Sequence, residues 1–292
     1  MGAERTVPVM ILITGATGTI GSHVLGRLVD LGEPVRVLAR EPTTVGVGAE
    51  VEVVRGDFED PASLARAVDG VESAFLLTVP RKPVADHDLA FAEAAGAAGV
   101  SRIVKLSAIG SGETFGGARV GTWHRLAEQA VQASGAAWTV LRPSSFASNL
   151  LQFRDAIRKG EPVPNWTGSG AMGIIDPRDV AAVAVAALTT DDQVGEVHTL
   201  TGPELLTLDE QVAILGELLG APVETAHLPL EAAAAMMLEN GQDPTAVTEA
   251  LLGMKAAKDG HFEILTGEVS RILGRPATSF TTWAADHLDA FR

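Results

Sequence analysis

The first half of the chain alternates two hydrophobic patterns. Short apolar runs with little polar alternation stand at Val9-Met10-Ile11-Leu12-Ile13, Val35-Arg36-Val37-Leu38-Ala39, Val51-Glu52-Val53-Val54, Ser73-Ala74-Phe75-Leu76-Leu77, Arg102-Ile103-Val104-Lys105-Leu106 and Trp138-Thr139-Val140-Leu141. Between them, helical spacing is expected over 19–31, over the alanine-rich stretch 85–98, and through His124, Glu128 and Val131. Consecutive apolar residues suit a strand covered on both faces, and strands alternating with helices build βαβ units on a parallel sheet. The predicted fold class is therefore α/β, a Rossmann-type doubly wound parallel sheet.

Beyond Ser144 the rhythm becomes mostly helical, with expected helices at 147–158, 177–188, 208–219, 230–239 and 245–257 and strand-like pieces at 197–200 and 223–228. This divides the chain into a Rossmann domain over 1–145 and a smaller, mostly helical substrate-binding portion over 146–292. Strand and helix elements around 173–200 are expected to return to the Rossmann sheet. Such a portion would pack over the carboxyl ends of the strands, where these folds build pockets.

A glycine-rich turn, Gly15-Ala16-Thr17-Gly18-Thr19-Ile20-Gly21, leaves the first strand and opens the first helix. Gly15 permits a tight turn, Gly18 lets backbone approach a pyrophosphate, and Gly21 lets helix and strand pack closely. Unpaired N–H groups of the first helical turn then face the phosphates. A nicotinamide dinucleotide is the expected cofactor. After the second strand, Ala39-Arg40-Glu41 stands where NAD sites commonly place an acidic residue. Arg40 can fork onto a 2′-phosphate, so NADP(H) is preferred, and Glu41 keeps NAD(H) open. Asp57-Phe58 follows the third strand at the height of an adenine, with helix capping as the alternative for Asp57.

Net charge limits the partners. Lys and Arg total 22 against 37 Asp and Glu, a formal charge of −15, which repels nucleic acid and anionic membranes. With no cysteine, disulfides, thiolate zinc sites and cysteine nucleophiles are excluded. The run Val7–Ile13 follows Glu4 and Arg5 and leads straight into the glycine turn, so it reads as a strand and not a signal core. Val180–Leu188 is too short to span a bilayer. The expectation is a cytoplasmic monomer or homodimer that takes a small-molecule substrate. The seven histidines show no paired ligand spacing, so no metal site is expected. Asp86-His87-Asp88 reads as a capping and solvation cluster at a helix start.

These segments, with Lys105-Leu106-Ser107-Ala108, Leu141-Arg142-Pro143-Ser144-Ser145-Phe146, Ile175-Asp176-Pro177-Arg178-Asp179-Val180-Ala181 and Leu200-Thr201-Gly202-Pro203, resemble the NmrA-like family of atypical short-chain dehydrogenase/reductases. That group includes quinone reductases, triphenylmethane reductases and redox-sensing regulators. The resemblance covers nearly the whole chain. It implies cofactor contacts at Gly15, Thr17, Gly18, Thr19, Ile20, Gly21, Arg40, Asp57, Phe58, Thr78 and Val79, with Ser107, Pro143, Ser145 and Phe146 beside the nicotinamide. It also implies that loops 80–83 and 110–121 rim the substrate opening, and that Asp179 anchors or caps its helix.

Standard dehydrogenases of this superfamily use a Tyr-x-x-x-Lys pair, and this chain contains no tyrosine. Aligned on Glu128, Val120 takes the tyrosine position and His124 the lysine position. Chemistry that needs an activated phenol is thereby disfavoured. A quinone-like or conjugated electrophile can accept hydride largely through positioning. His124, titrating near neutral pH, and Ser107, hydrogen-bonding a substrate oxygen, are the catalytic candidates. The leading expectation is an NAD(P)H-dependent reductase of such acceptors. The alternative is a non-catalytic NAD(P) redox sensor that binds a protein partner.

Overall fold

The structure, a computed structural model, describes residues 9–42 and 51–292. The start of the first apolar run, Val7 and Pro8, and the preceding Glu4 and Arg5 lie outside the described residues. Strands β1 (Ile11–Thr14), β2 (Val35–Ala39), β3 (Val51–Arg55), β4 (Ser73–Leu76) and β5 (Arg102–Leu106) come with helices α1 (Thr19–Asp30), α2 (Pro61–Val68) and α3 (Asp86–Ala98). Next are β6 (Thr114–Phe115), β7 (Ala118–Arg119), α4 (Thr122–Ala133) and β8 (Ala137–Pro143). The remainder holds α5 (Arg154–Arg158), β9 (Val163–Asn165), β10 (Met172–Gly173), α6 (Pro177–Thr189), β11 (Val197–Leu200), β12 (Leu205–Leu206) and α7 (Leu208–Leu219). It ends with β13 (Thr225–His227), α8 (Leu230–Glu239), α9 (Pro244–Lys258), α10 (Glu268–Leu273) and α11 (Phe280–Asp286).

The main sheet runs β11-β8-β5-β4-β1-β2-β3, with every neighbouring pair parallel. The order reverses between β1 and β4, which opens a crevice at the carboxyl ends of those strands. Alternation across the sheet explains the unbroken apolar run of β1. Ile11 and Ile13 pack toward α1 and α6, among Val24, Leu28, Val180 and Val183. Leu12 packs on the opposite face, among Leu64 and Val68 of α2 and Phe91 and Ala95 of α3. Both faces are buried, so neither parity of the strand tolerates polar residues.

The return to the sheet comes from α6 and β11, which pairs in register with β8 from Val197 opposite Val140 to Leu200 opposite Pro143. Asp176 caps α6 by accepting from the Arg178 N–H. Asp179 anchors the same helix: it accepts from the Thr278 N–H at 2.6 Å and from Arg275 at 2.7 Å. The carboxyl-terminal part has its own core around Leu150, Val212, Leu215, Phe280 and Trp283.

Two local departures from the sequence expectation have physical reasons. The stretch expected as one helix over 147–158 divides into a 3-10 segment, Ala147–Phe153, followed by α5. Ala147, Leu150 and Phe153 recur every third residue on the same core, the period of a 3-10 helix. The loop 110–121 contains the antiparallel hairpin β6–β7. Its turn residues Gly116 and Gly117 both have positive φ, as a two-residue hairpin turn requires.

Among the described residues no helix is long and apolar enough to cross a membrane, and no cluster suited to a metal ion is present.

Candidate functional site

The glycine turn is fixed by constraints that differ at each glycine. Gly15 has φ +67°, a conformation that disfavours any side chain. A Cβ on Gly21 would lie 2.1 Å from the carbonyl oxygen of Gly15, so α1 can approach the turn only without one. At Gly18 the protein sets no such limit: a Cβ would meet only the Gly15 oxygen, at 3.4 Å. Gly18 nevertheless lines the crevice. It is the N-cap residue of α1, with no side-chain cap and no acidic residue in the first turn. Open space at Gly18 and uncapped helix N–H groups fit a pyrophosphate.

A cavity of about 650 Å³ extends from this turn, bounded by Gly15, Thr17, Gly18, Arg40, Asp57, Phe58 and Val79. These seven were all expected from sequence. Glu41, Gly56 and His87 also border it. Thr19, Ile20 and Gly21 form the first turn of α1 behind the wall, with Ile20 in the core. Thr14 ties the ends of β1 and β4 together, accepting from the Leu77 N–H at 2.8 Å.

Asp57 does not cap α2. Asp60 does so, accepting from the Ala62 N–H at 3.0 Å, while Asp57 accepts from the Glu59 N–H at 3.0 Å. The reading of Asp86-His87-Asp88 as a capping and solvation cluster needs correction. The α3 N-cap has no side-chain hydrogen bond, and Asp88 is fully buried. Asp88 pairs with Lys105 at 2.8 Å and accepts from Thr78 Oγ1 at 2.8 Å. Thr78 is thus held from behind by a buried ion pair and is itself buried. Burial pulls the Lys105 ammonium below the usual lysine range, against the opposing pull of Asp88. His87 turns the other way and stacks on Phe58, with ring centroids 5.3 Å apart and planes at 15°. Sequence reasoning passed over His87. The signal was its position as the second residue of a helix that follows the exposed loop after β4.

Farther along the strand ends, Ser107, Pro143, Ser145 and Phe146 meet where β5 and β8 finish. The Ile109 N–H donates to the Pro143 carbonyl at 3.0 Å, and Phe146 bridges to Ile175. These residues lie outside the cavity wall just described. Ser107 donates to Glu128 Oε1 at 2.6 Å. Arg142 forks onto the same carboxylate at 2.8 and 2.6 Å, and Arg125 adds a bond of 3.0 Å. Burial pushes the Glu128 carboxyl up, but hydrogen bonds from Arg142, Ser107 and Arg125 outweigh it and hold it below the usual range.

Val120, at the tyrosine position, is packed with Ala256, Ala257 and Phe262. His124 stacks on Trp123 at 3.6 Å, and its Nδ1 is buried without a hydrogen-bond partner among the described residues. Burial, with Lys105 and Arg142 adding to it against Glu128, lowers its pKa to about 3. The expectation that His124 titrates near neutrality is therefore corrected: it presents a neutral imidazole at pH 7.

Comparison with known proteins agrees with this geometry. The family described as NAD(P)H-binding matches residues 15–191. The (4-alkanoyl-5-oxo-2,5-dihydrofuran-3-yl)methyl phosphate reductase of Streptomyces griseus is 42% identical, over 97% of this chain and 99% of that protein. An NAD(P)H azoreductase of Xenophilus azovorans is 33% identical over 97% and 99%. Among solved structures, the NADPH complex of an NADPH-dependent quinone oxidoreductase from Escherichia coli superposes with a TM-score of 0.83 at 25% identity, covering 96% of this chain and all of that one. The NADP(H) complex of Citrobacter triphenylmethane reductase shares the fold, with a TM-score of 0.81 at 21% identity over 95% and 99%. With the family match spanning more than half its length and a close relative aligned along nearly all of it, the chain belongs to the NAD(P)H-binding, NmrA-like family of atypical short-chain dehydrogenase/reductases and is an NAD(P)H-dependent oxidoreductase.

Proposed function

We propose that this oxidoreductase uses NADPH to reduce the carbon–carbon double bond of a small conjugated lactone, of the (4-alkanoyl-5-oxo-2,5-dihydrofuran-3-yl)methyl phosphate class named for its 42%-identical relative. One observation carries the reading: the tyrosine position and the two catalytic candidates, His124 and Ser107, offer no proton suited to transfer at neutral pH. Position 120 is valine, His124 is neutral with a pKa of about 3, and the Ser107 proton is committed to Glu128. A suitable acceptor must therefore become, on reduction, an anion that needs no acid from the protein.

A bound reduced nicotinamide supplies a hydride. When the hydride arrives at ring carbon 3 of such a lactone, the alkene pair moves onto carbon 4. That carbon lies between the alkanoyl and lactone carbonyls, and the charge spreads over both oxygens. The enolate of a 1,3-dicarbonyl is a weak base, and water returns the proton to carbon 4. The protein's work is binding, orientation and exclusion of competing geometries. Ser107 and His124 act as positioning groups. Arg40, exposed on the cavity wall, takes the 2′-phosphate and sets the preference for NADPH.

The test follows NADPH oxidation with the lactone phosphate, a naphthoquinone, a triarylmethane dye and an azo dye. Saturable turnover of the lactone is expected, with kcat/KM about tenfold or more above the others. Deuterium from labelled NADPH should appear at carbon 3, and solvent hydrogen at carbon 4. A protein that reduces the quinone or a dye but leaves the lactone untouched sinks the proposal.

A further inference from the structure

Two guanidinium groups share one carboxylate at the nicotinamide edge. Arg142 alone satisfies Glu128 with a fork of 2.8 and 2.6 Å, yet Arg125 also approaches, with a bond of 3.0 Å to Oε2. The cluster keeps a surplus of one positive charge in a chain whose net charge is −15. Neighbouring charges reduce it only partly. Lys105 and Asp88 cancel as a buried pair at 2.8 Å. Glu113 also acts on Arg142 and opposes the surplus, but its side chain is 47% exposed, so solvent screens its charge. Lys255 is paired with Asp259 at 2.6 Å.

Arg125 is also the member that faces outward. Its side chain is 38% exposed, against 17% for Arg142 and none for Glu128. Among the described residues Glu128 is its one hydrogen-bond partner, so most of its five N–H donors remain available. The stem is held in place: a Cβ on Gly112 would come within 2.8 Å of Arg125 Cγ, and Gly112 has φ +77°. The guanidinium is thereby set at the foot of the 110–121 hairpin loop, two bonded contacts from Ser107 through Glu128.

We propose that Arg125 binds the phosphate monoester of the substrate and so selects phosphorylated over unphosphorylated lactones, an inference that rests on the function proposed above. A guanidinium suits this role because its planar fork matches phosphate oxygens and its charge is permanent. The Glu128 bond orients one edge of that fork and leaves the other free. Arg125 is in this sense a substrate-binding residue, whereas Arg142 and Glu128 position it.

The experiment compares kcat/KM for the lactone phosphate and for its hydroxymethyl analogue, in wild type, Arg125→Gln and Arg125→Lys. Wild type should favour the phosphate, and Arg125→Gln should reduce that preference by about 10- to 100-fold, mainly through KM. Arg125→Lys should recover part of it. At saturating NADPH, inorganic phosphate should inhibit wild type competitively with the lactone phosphate, a measurement that needs no variant. Equal losses on both substrates in Arg125→Gln, or no inhibition of wild type by phosphate, overturn the role of Arg125. A wild type that reduces both lactones alike also overturns it, while leaving the proposed reaction standing. If wild type reduces neither lactone, the reaction itself fails, and this inference with it.

Discussion

Ser107 Oγ lies 2.6 Å from Glu128 Oε1 and gives its proton to that carboxylate. Ser111, 3.0 Å away, gives its own proton to the Ala108 carbonyl at 2.6 Å. Both protons are thereby committed within the protein, that of Ser107 where the nicotinamide edge is expected and that of Ser111 in the loop expected to rim the substrate opening. Glu128 therefore does more than hold Arg142 in place. By accepting from Ser107 it also fixes which way that hydroxyl points.

Glu128→Ala should be costly to stability. It leaves the half-buried Arg142 without its forked partner and Ser107 without its acceptor, and breaking such a pair from one side costs on the order of 3 kcal/mol. Thermal unfolding should show a fall in Tm of several degrees. An unchanged Tm would mean that solvent replaces the carboxylate freely.

His124 gives a pH dependence with a defined sign. Its folded pKa of about 3 lies below the usual imidazole value of 6.5, so between those values the unfolded chain binds the extra proton. Stability from this residue is fully present above pH 6.5 and is lost as pH falls toward 3. Denaturant unfolding at pH 7 and pH 5 should show a smaller acid loss in His124→Phe than in wild type. Equal losses would place the titration elsewhere. The kcat/KM profile of His124→Gln should also keep the wild-type shape across neutral pH, since no proton leaves this ring there.

The glycines of the turn should separate folding from binding. Gly21→Ala forces a Cβ to 2.1 Å from backbone oxygen and should cost about 1–3 kcal/mol or more through displacement of α1. In Gly18→Val the added Cβ meets only the Gly15 oxygen, at 3.4 Å. This variant should fold with a near-native Tm and lose NADPH affinity by about tenfold or more, because the side chain occupies the pyrophosphate's approach. Calorimetric titration beside thermal melts distinguishes the two cases, and intact NADPH binding in Gly18→Val would contradict the placement.

At the adenosine end, Arg40→Ala should lower the preference for NADPH over NADH by roughly tenfold, as expected for loss of one charge-assisted contact at an exposed site. His87→Ala removes the ring stacked on Phe58 and should weaken dinucleotide binding by about two- to tenfold. Reduced nicotinamide mononucleotide lacks the adenosine, and its affinity should not change in His87→Ala. A parallel loss for the mononucleotide would put His87 outside the adenine wall.

Much of the site was legible because its residues carry local rules. Gly15, Gly18 and Gly21 declare themselves by spacing between an apolar strand and a helix, and Arg40, Asp57 and Phe58 follow at strand ends, where a doubly wound sheet places its ligands; Val79 came only through the family resemblance. The strands and long helices were legible for the same reason: periodicity is a near-neighbour property of the chain. Short elements such as α10, α11 and the β6–β7 hairpin carry too few periods to be read that way.

Properties that depend on residues distant in sequence were settled only by folding. The ionisation of His124 follows from burial and from Lys105 and Arg142 brought beside it. Asp88 looks like a solvated helix-start residue until Lys105, 17 positions later, closes on it at 2.8 Å. His87 becomes part of the cavity wall only because α3 lays it against Phe58. Sequence by itself determined the sheet, the cofactor turn and the absence of the phenolic acid, since each rests on residue type and local order. The protonation, pairing and exposure of the remaining polar groups were decided by the tertiary structure. Electrostatics and desolvation act through space, and the distances that govern them do not exist until the chain has folded.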